Sequence, residues 1–102
     1  MKKIINGRLY NTETAQIITD YSNGLCCNDF RWFEETLYRK RNGEFFLHGE
    51  GGPMTKYAKQ IDTNSRCSGE AITPLSDAEA REWMEQCADA DTYIRCFGDV
   101  EE

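Results

Sequence analysis

Glu79, Glu82, Glu85 and Asp89 recur three or four residues apart, the interval that sets neighbours about 5–6 Å apart along one helix surface. A row of anions at that interval is close to the spacing of nucleic-acid phosphates and can occupy a groove built for them; the same row is also the wetted side of any amphipathic helix. Arg39, Lys40 and Arg41 form the opposite pole. With Lys56, and with Arg31 and Lys59 as neighbours, they can meet a phosphate backbone while Trp32 and Tyr38 stack on bases. Cations at such a place equally serve solubility and edge protection.

The single histidine, His48, precedes Gly49-Glu50-Gly51-Gly52-Pro53, and a general base beside a loop is one catalytic arrangement, for instance a small nuclease using His48 with Glu50. No Ser or Cys carries the strained-elbow signature of a nucleophile, so the set is incomplete. Read as a phosphate loop, the stretch from Gly49 to Lys56 fails: Pro53 removes a donor, Glu50 adds like charge, and the Gly-Lys-Ser/Thr ending is absent. Cys26, Cys27, Cys67, Cys87 and Cys96 are odd in number and lack C-x-x-C spacing, which points to reduced thiols instead of a zinc site or disulfide framework. Cys87 and Cys96 read as small apolar packing residues. No catalytic set, metal site or cofactor is expected.

These residues must be positioned by local elements. Asn6-Gly7 between two β-favouring segments predicts a tight hairpin with strands at about 2–5 and 8–11. Asn11 can cap a single turn before a strand over 16–22. Residues 22–29 are rich in turn formers. A two-residue Asn42-Gly43 turn then pairs Arg41 with Glu44, Lys40 with Phe45, Arg39 with Phe46, Tyr38 with Leu47 and Leu37 with His48. On that register Tyr38, Phe45 and Leu47 share a face with Thr36 and Lys40, and Leu37, Phe46 and Phe33 neighbour the other. One face meets helices; the other is partly exposed or covered by the first hairpin.

Gly49 to Pro53 is expected to break the ladder. Residues 54–69 fit a strand or a short helix equally, and Ala71-Ile72 reads as a short strand. Ser76 and Glu79 make a capping box for a helix over 77–88, with Ala80, Trp83, Met84 and Cys87 facing the core. Asp91 is the expected cap of a second helix carrying Tyr93, Ile94 and Phe97 and stopped at Gly98, after which Asp99 to Glu102 fray.

One domain over residues 1–102 follows from the length and from the absence of repeats or linkers. The predicted class is α+β, an antiparallel sheet of about four or five strands packed by one or two C-terminal helices. Enough residues are apolar (39%) to build a core although mean hydropathy is low. Neither a signal peptide nor a membrane anchor is read, so a cytoplasmic protein is expected. The net charge of −6 divides unevenly, +2 over residues 1–66 and −8 over residues 67–102, which disfavours global attraction to nucleic acid or anionic lipid.

The chain also resembles a family of small proteins carried by phages, plasmids and integrative elements of Gram-positive bacteria. The likeness lies in Ile5-Asn6-Gly7, Tyr10 to Ala15, Tyr21 to Gly24, Glu34 to Lys40, Asn42 to Met54 and the acidic helical end. Such proteins are similar to anti-CRISPR proteins, inhibitors of type II systems. The resemblance implies a non-catalytic, stoichiometric inhibitor in the host cytoplasm, without cofactor, that binds a host CRISPR effector protein or its guide RNA. Contact would run through the acidic helix (Glu79, Glu82, Glu85, Asp89) or the basic hairpin (Arg39, Lys40, Arg41, Lys56). Cys26-Cys27 and Arg66-Cys67 depart from the Gly-, Asn- or Ser-rich loops of that pattern. A small nucleic-acid-directed enzyme, or a regulatory module dimerising through an exposed edge, is the alternative; both monomer and homodimer stay open.

Overall fold

The computed structural model describes residues 1–26 and 28–98. Its elements are β1 (Lys2–Ile5), β2 (Arg8–Asn11), β3 (Gln16–Ser22), β4 (Phe33–Arg39), β5 (Phe45–Gly51), β6 (Lys59–Gln60), β7 (Arg66–Cys67), β8 (Gly69–Leu75), α1 (Asp77–Cys87) and α2 (Ala90–Phe97). Strands β3, β4, β5 and β8 form one antiparallel sheet in that order, β1 and β2 a separate ribbon, and β6 and β7 a minor one. The fold is α+β, with two C-terminal helices on a four-stranded antiparallel sheet.

Asn6 (φ 53°) and Gly7 (φ 77°) both take the left-handed conformation that a two-residue type I′ turn requires, and Ile5 pairs with Arg8. Residues 11–15 make one turn, with the Ala15 N–H donating to the Asn11 carbonyl at 3.2 Å, and β3 starts at Gln16.

The second hairpin forms one residue out of the expected register. Arg39 pairs with Phe45, Tyr38 with Phe46, Leu37 with Leu47 and Thr36 with His48. The loop is longer than Asn42-Gly43 alone: the Gly43 N–H donates to the Lys40 carbonyl (2.9 Å), the Lys40 N–H to the Glu44 carbonyl (2.8 Å), and Gly43 sits at φ 91°. Arg41-Asn42-Gly43 is therefore a three-residue loop closed by a left-handed glycine. The Asn42 carboxamide fixes it by accepting the Glu44 N–H at 3.0 Å. A one-residue slip regroups the side chains across strands. Phe45 and Leu47 join Leu37, and Phe46 joins Tyr38.

Two apolar clusters result, one on each face. Leu37, Phe45 and Leu47 pack under Ala80 and Met84 of α1, with Tyr93 and Phe97 of α2 alongside. Tyr38, Phe46 and Ile72 pack under Tyr10, with Ile5 alongside, so the N-terminal ribbon covers this second face. The Tyr38 and Phe46 rings stack at 5.1 Å, and Tyr10 meets Phe46 edge-on at 5.4 Å. Full burial of Phe46 and Leu37 stabilises the fold by about 1.5–3 kcal/mol each.

Contrary to expectation, the glycine-rich stretch carries the ladder on. β5 continues to Gly51, and Gly49 lies between Glu35 and Ala71 in the sheet interior. The Tyr57 ring occupies the space a Cβ on Gly49 would need. The chain turns only at Gly52-Pro53, and residues 54–69 form a turn followed by the β6–β7 pair. β8 is longer than Ala71-Ile72 and includes Pro74, which an edge strand tolerates.

The Ser76 hydroxyl accepts the Glu79 N–H at 3.1 Å and the Glu79 carboxylate accepts the Ser76 N–H at 3.0 Å, which sets the start of α1. The cap of α2 is Asp89, accepting the Thr92 N–H at 2.8 Å, and not Asp91. Asp89 precedes the first helical residue and leaves three backbone donors ahead of it to satisfy, whereas Asp91 lies inside the first turn. The expected fraying of Asp99 to Glu102, and the reading of Cys27, lie outside the described residues. No described helix is long and apolar enough to cross a membrane.

Candidate partner-binding site

The helical layer is anchored by a carboxylate that the sequence reading did not single out. Glu35, on β4, points to the same face as Leu37 and is almost wholly buried. Its Oε1 accepts the Trp83 indole N–H at 3.1 Å; its Oε2 takes Lys56 Nζ at 2.8 Å and the Tyr57 hydroxyl. One side chain thus ties α1 and the 56–57 turn to the sheet. Burial pushes the Glu35 carboxyl up, but the donors from Lys56, Tyr57 and Trp83 outweigh it and hold the group below its ordinary range. The Tyr57 phenol is driven strongly upward by burial and by the adjacent carboxylate, so it stays a donor. Period alone hides this role, because Glu34-Glu35 is an acidic pair of which one member must face inward.

Of the expected acidic row, Glu79, Glu82 and Glu85 lie on α1, whereas Asp89 lies beyond its end as the cap of α2, because the backbone turns extended at Ala88. Glu79, Glu82, Glu85 and Asp89 are all exposed. Two also serve the backbone: the capping bonds to Ser76 hold Glu79 below the usual carboxylate range, and the bonds from Thr92 do so for Asp89. Glu79 and Glu82 border an open groove of about 480 Å³ between α1 and β8, and Glu85 and Asp89 border a depression of about 440 Å³ between α1 and α2.

The opposite sheet face holds more negative charge that only the pairing reveals. Glu34 stands across from Glu50, and Glu50 across from Glu70, one carboxylate on each of three neighbouring strands. Strands lie about 4.8 Å apart, and like charges directly opposed cost a few tenths of a kcal/mol or more. His48 Nε2 meets the Glu70 carboxylate at 3.0 Å, not Glu50. Among the described residues, no group of three or more His, Cys, Asp or Glu side chains is placed to hold a metal ion.

The basic residues fare differently. Lys40 reaches Glu44 at 3.3 Å and covers the Tyr10 ring at 3.7 Å, and Arg39 lies over the Phe45 ring at 5.3 Å. Lys56 is drawn to Glu35, four residues back along β4 from Arg39, instead of joining the hairpin tip. Arg41 is exposed and enters no ion pair among the described residues. Cys26, Cys67, Cys87 and Cys96 are free thiols, with burial pushing Cys87 and Cys96 upward. Comparison with protein-family models, curated proteins and solved structures finds no match. Among the described residues, the acidic helical side chains stand exposed, two of them also capping helix starts, while the basic set is largely engaged within the chain.

Proposed function

We propose that the protein is a non-catalytic, stoichiometric inhibitor that binds a host CRISPR effector protein, its acidic helical face occupying a basic groove that otherwise receives nucleic acid. The observation carrying this reading is the exposure of Glu79, Glu82, Glu85 and Asp89 together on the helical layer. Along α1, Glu79, Glu82 and Glu85 recur at an interval near that of backbone phosphates, and the net charge of −6 favours a cationic partner. Guide RNA is the less favoured target, because Lys40 and Lys56 already neutralise carboxylates of the chain itself.

The test is a cleavage assay with a purified type II effector, the inhibitor being added before or after the guide RNA. Inhibition reaching completion near one inhibitor per effector, and weakened by combined Glu82→Gln and Glu85→Gln replacement, supports the reading. Binding to guide RNA alone, or multiple turnovers of a nucleic-acid substrate, overturns it.

A further inference from the structure

A helix with its side chains is about 10–12 Å across and strands lie about 4.8 Å apart, so one helix covers roughly two strands. α1 contacts β5 and β8 while α2 contacts β3, and the inward side of β8, one of the two edge strands, remains partly open, with Thr73 exposed on it. Ala71, Thr73 and Leu75 alternate onto that side, across from Gly49, Leu47 and Phe45. Ala71, Leu75, Leu47 and Trp83 give the groove of about 480 Å³ an apolar floor, and Glu79 and Glu82 stand exposed on its helical bank. Lys56 is present at the groove but is neutralised by Glu35 at 2.8 Å. The groove is therefore apolar below and anionic above.

We propose that this groove receives an extended segment of the partner protein in which Arg or Lys alternates with small aliphatic side chains. The aliphatic groups pack on Ala71, Leu75 and Trp83, and the cations face Glu79 and Glu82. Charge complementarity selects this occupant: a purely apolar segment would bury carboxylates unpaired, and an acidic segment or a phosphate chain would be repelled by the rim. This inference rests on the reading above, that the partner presents cationic surface to α1, and it names the place and the chemistry of contact.

The experiment uses the full chain and an octapeptide of alternating Arg and Val, followed by tryptophan fluorescence and backbone amide shifts. The expected result is perturbation of Trp83 and of residues 71–75 and 79–86. Glu82→Gln should weaken binding about two- to fivefold, the effect of one exposed ion pair. Thr73→Arg, on an exposed position that places a cation in the groove, should weaken it more than about tenfold with an unchanged circular dichroism spectrum. Should Thr73→Arg be unfolded, Glu82→Lys provides the same reading from the helical bank. Equal binding by wild type and these variants, with shifts moved to Glu85 and Asp89 or to Glu34 and Glu50, overturns the groove while leaving the cationic-partner reading standing. Binding of hexa-arginine as tight as that of the alternating peptide overturns the apolar floor. If neither peptide binds, the groove proposal falls, and the cleavage assay with the effector alone decides the reading above.

Discussion

The Tyr57 ring lies over Gly49, in the space that any larger residue on β5 would fill, and its hydroxyl reaches Glu35 on the neighbouring strand. A bare backbone position thereby lets an aromatic side chain cross the sheet and satisfy a buried charge. Replacement of Gly49 by Ala must displace the ring, and overpacking of this kind costs about 1–3 kcal/mol. Thermal unfolding should show the loss, and Tyr57→Ala introduced alongside Gly49→Ala should cost less than the sum of the two single changes.

Removal of Glu35 charge should alter the acid limb of stability. The folded carboxyl titrates below its ordinary value of about 4.5, so its contribution is complete above that value and is lost as pH falls through the folded pKa. Glu35→Gln should lower stability at pH 7 by about 1–3 kcal/mol, since Lys56 loses its partner and Tyr57 meets a weaker acceptor. The same variant should show a flatter decline below pH 4.5, measured by denaturant unfolding across a pH series.

Gly43→Ala is expected to destabilise the chain by about 1–2 kcal/mol, because φ 91° suits glycine alone among common residues. Arg41→Ala, in the same loop but exposed and unpaired among the described residues, should stay within about 0.5 kcal/mol of wild type. Chemical denaturation of both variants separates the geometry of the loop from its charge.

Asp89 needs a particular test, because it is both a surface anion and the cap of α2. Asp89→Ala should cost about 1 kcal/mol through the lost bond to Thr92, whereas Asp89→Asn keeps that bond and removes the charge. A partner affinity lowered by Asp89→Asn at unchanged melting temperature would assign the carboxylate to binding.

The local elements were legible where one short-range rule decided them. Asn6-Gly7 announced a type I′ turn, and Ser76 with Glu79 announced the start of α1. The Arg41-Asn42-Gly43 loop was misread because the same Asn-Gly pair also closes a three-residue loop, and the Asn42 bond to the Glu44 N–H decides between them. Gly49 looked like a breaker because nothing near it in sequence reveals Tyr57, eight positions on, returning to cover it. Spacing placed Glu79, Glu82 and Glu85 on α1 but carried the row on to Asp89, which the extended Ala88 removes from that helix. Neither the Glu35 anchor nor the Glu34, Glu50 and Glu70 row was readable, because both depend on which strands become neighbours.

The N-terminal ribbon pairs with no strand of the main sheet and adheres chiefly through Tyr10 and Ile5. Two strands by themselves are barely stable in water, so the first eleven residues borrow their order from the aromatic surface beneath them. Detachment of the ribbon would uncover Tyr38 and Phe46 while leaving the helical side intact, which makes it the natural first step of unravelling and the place where amide protons should exchange earliest.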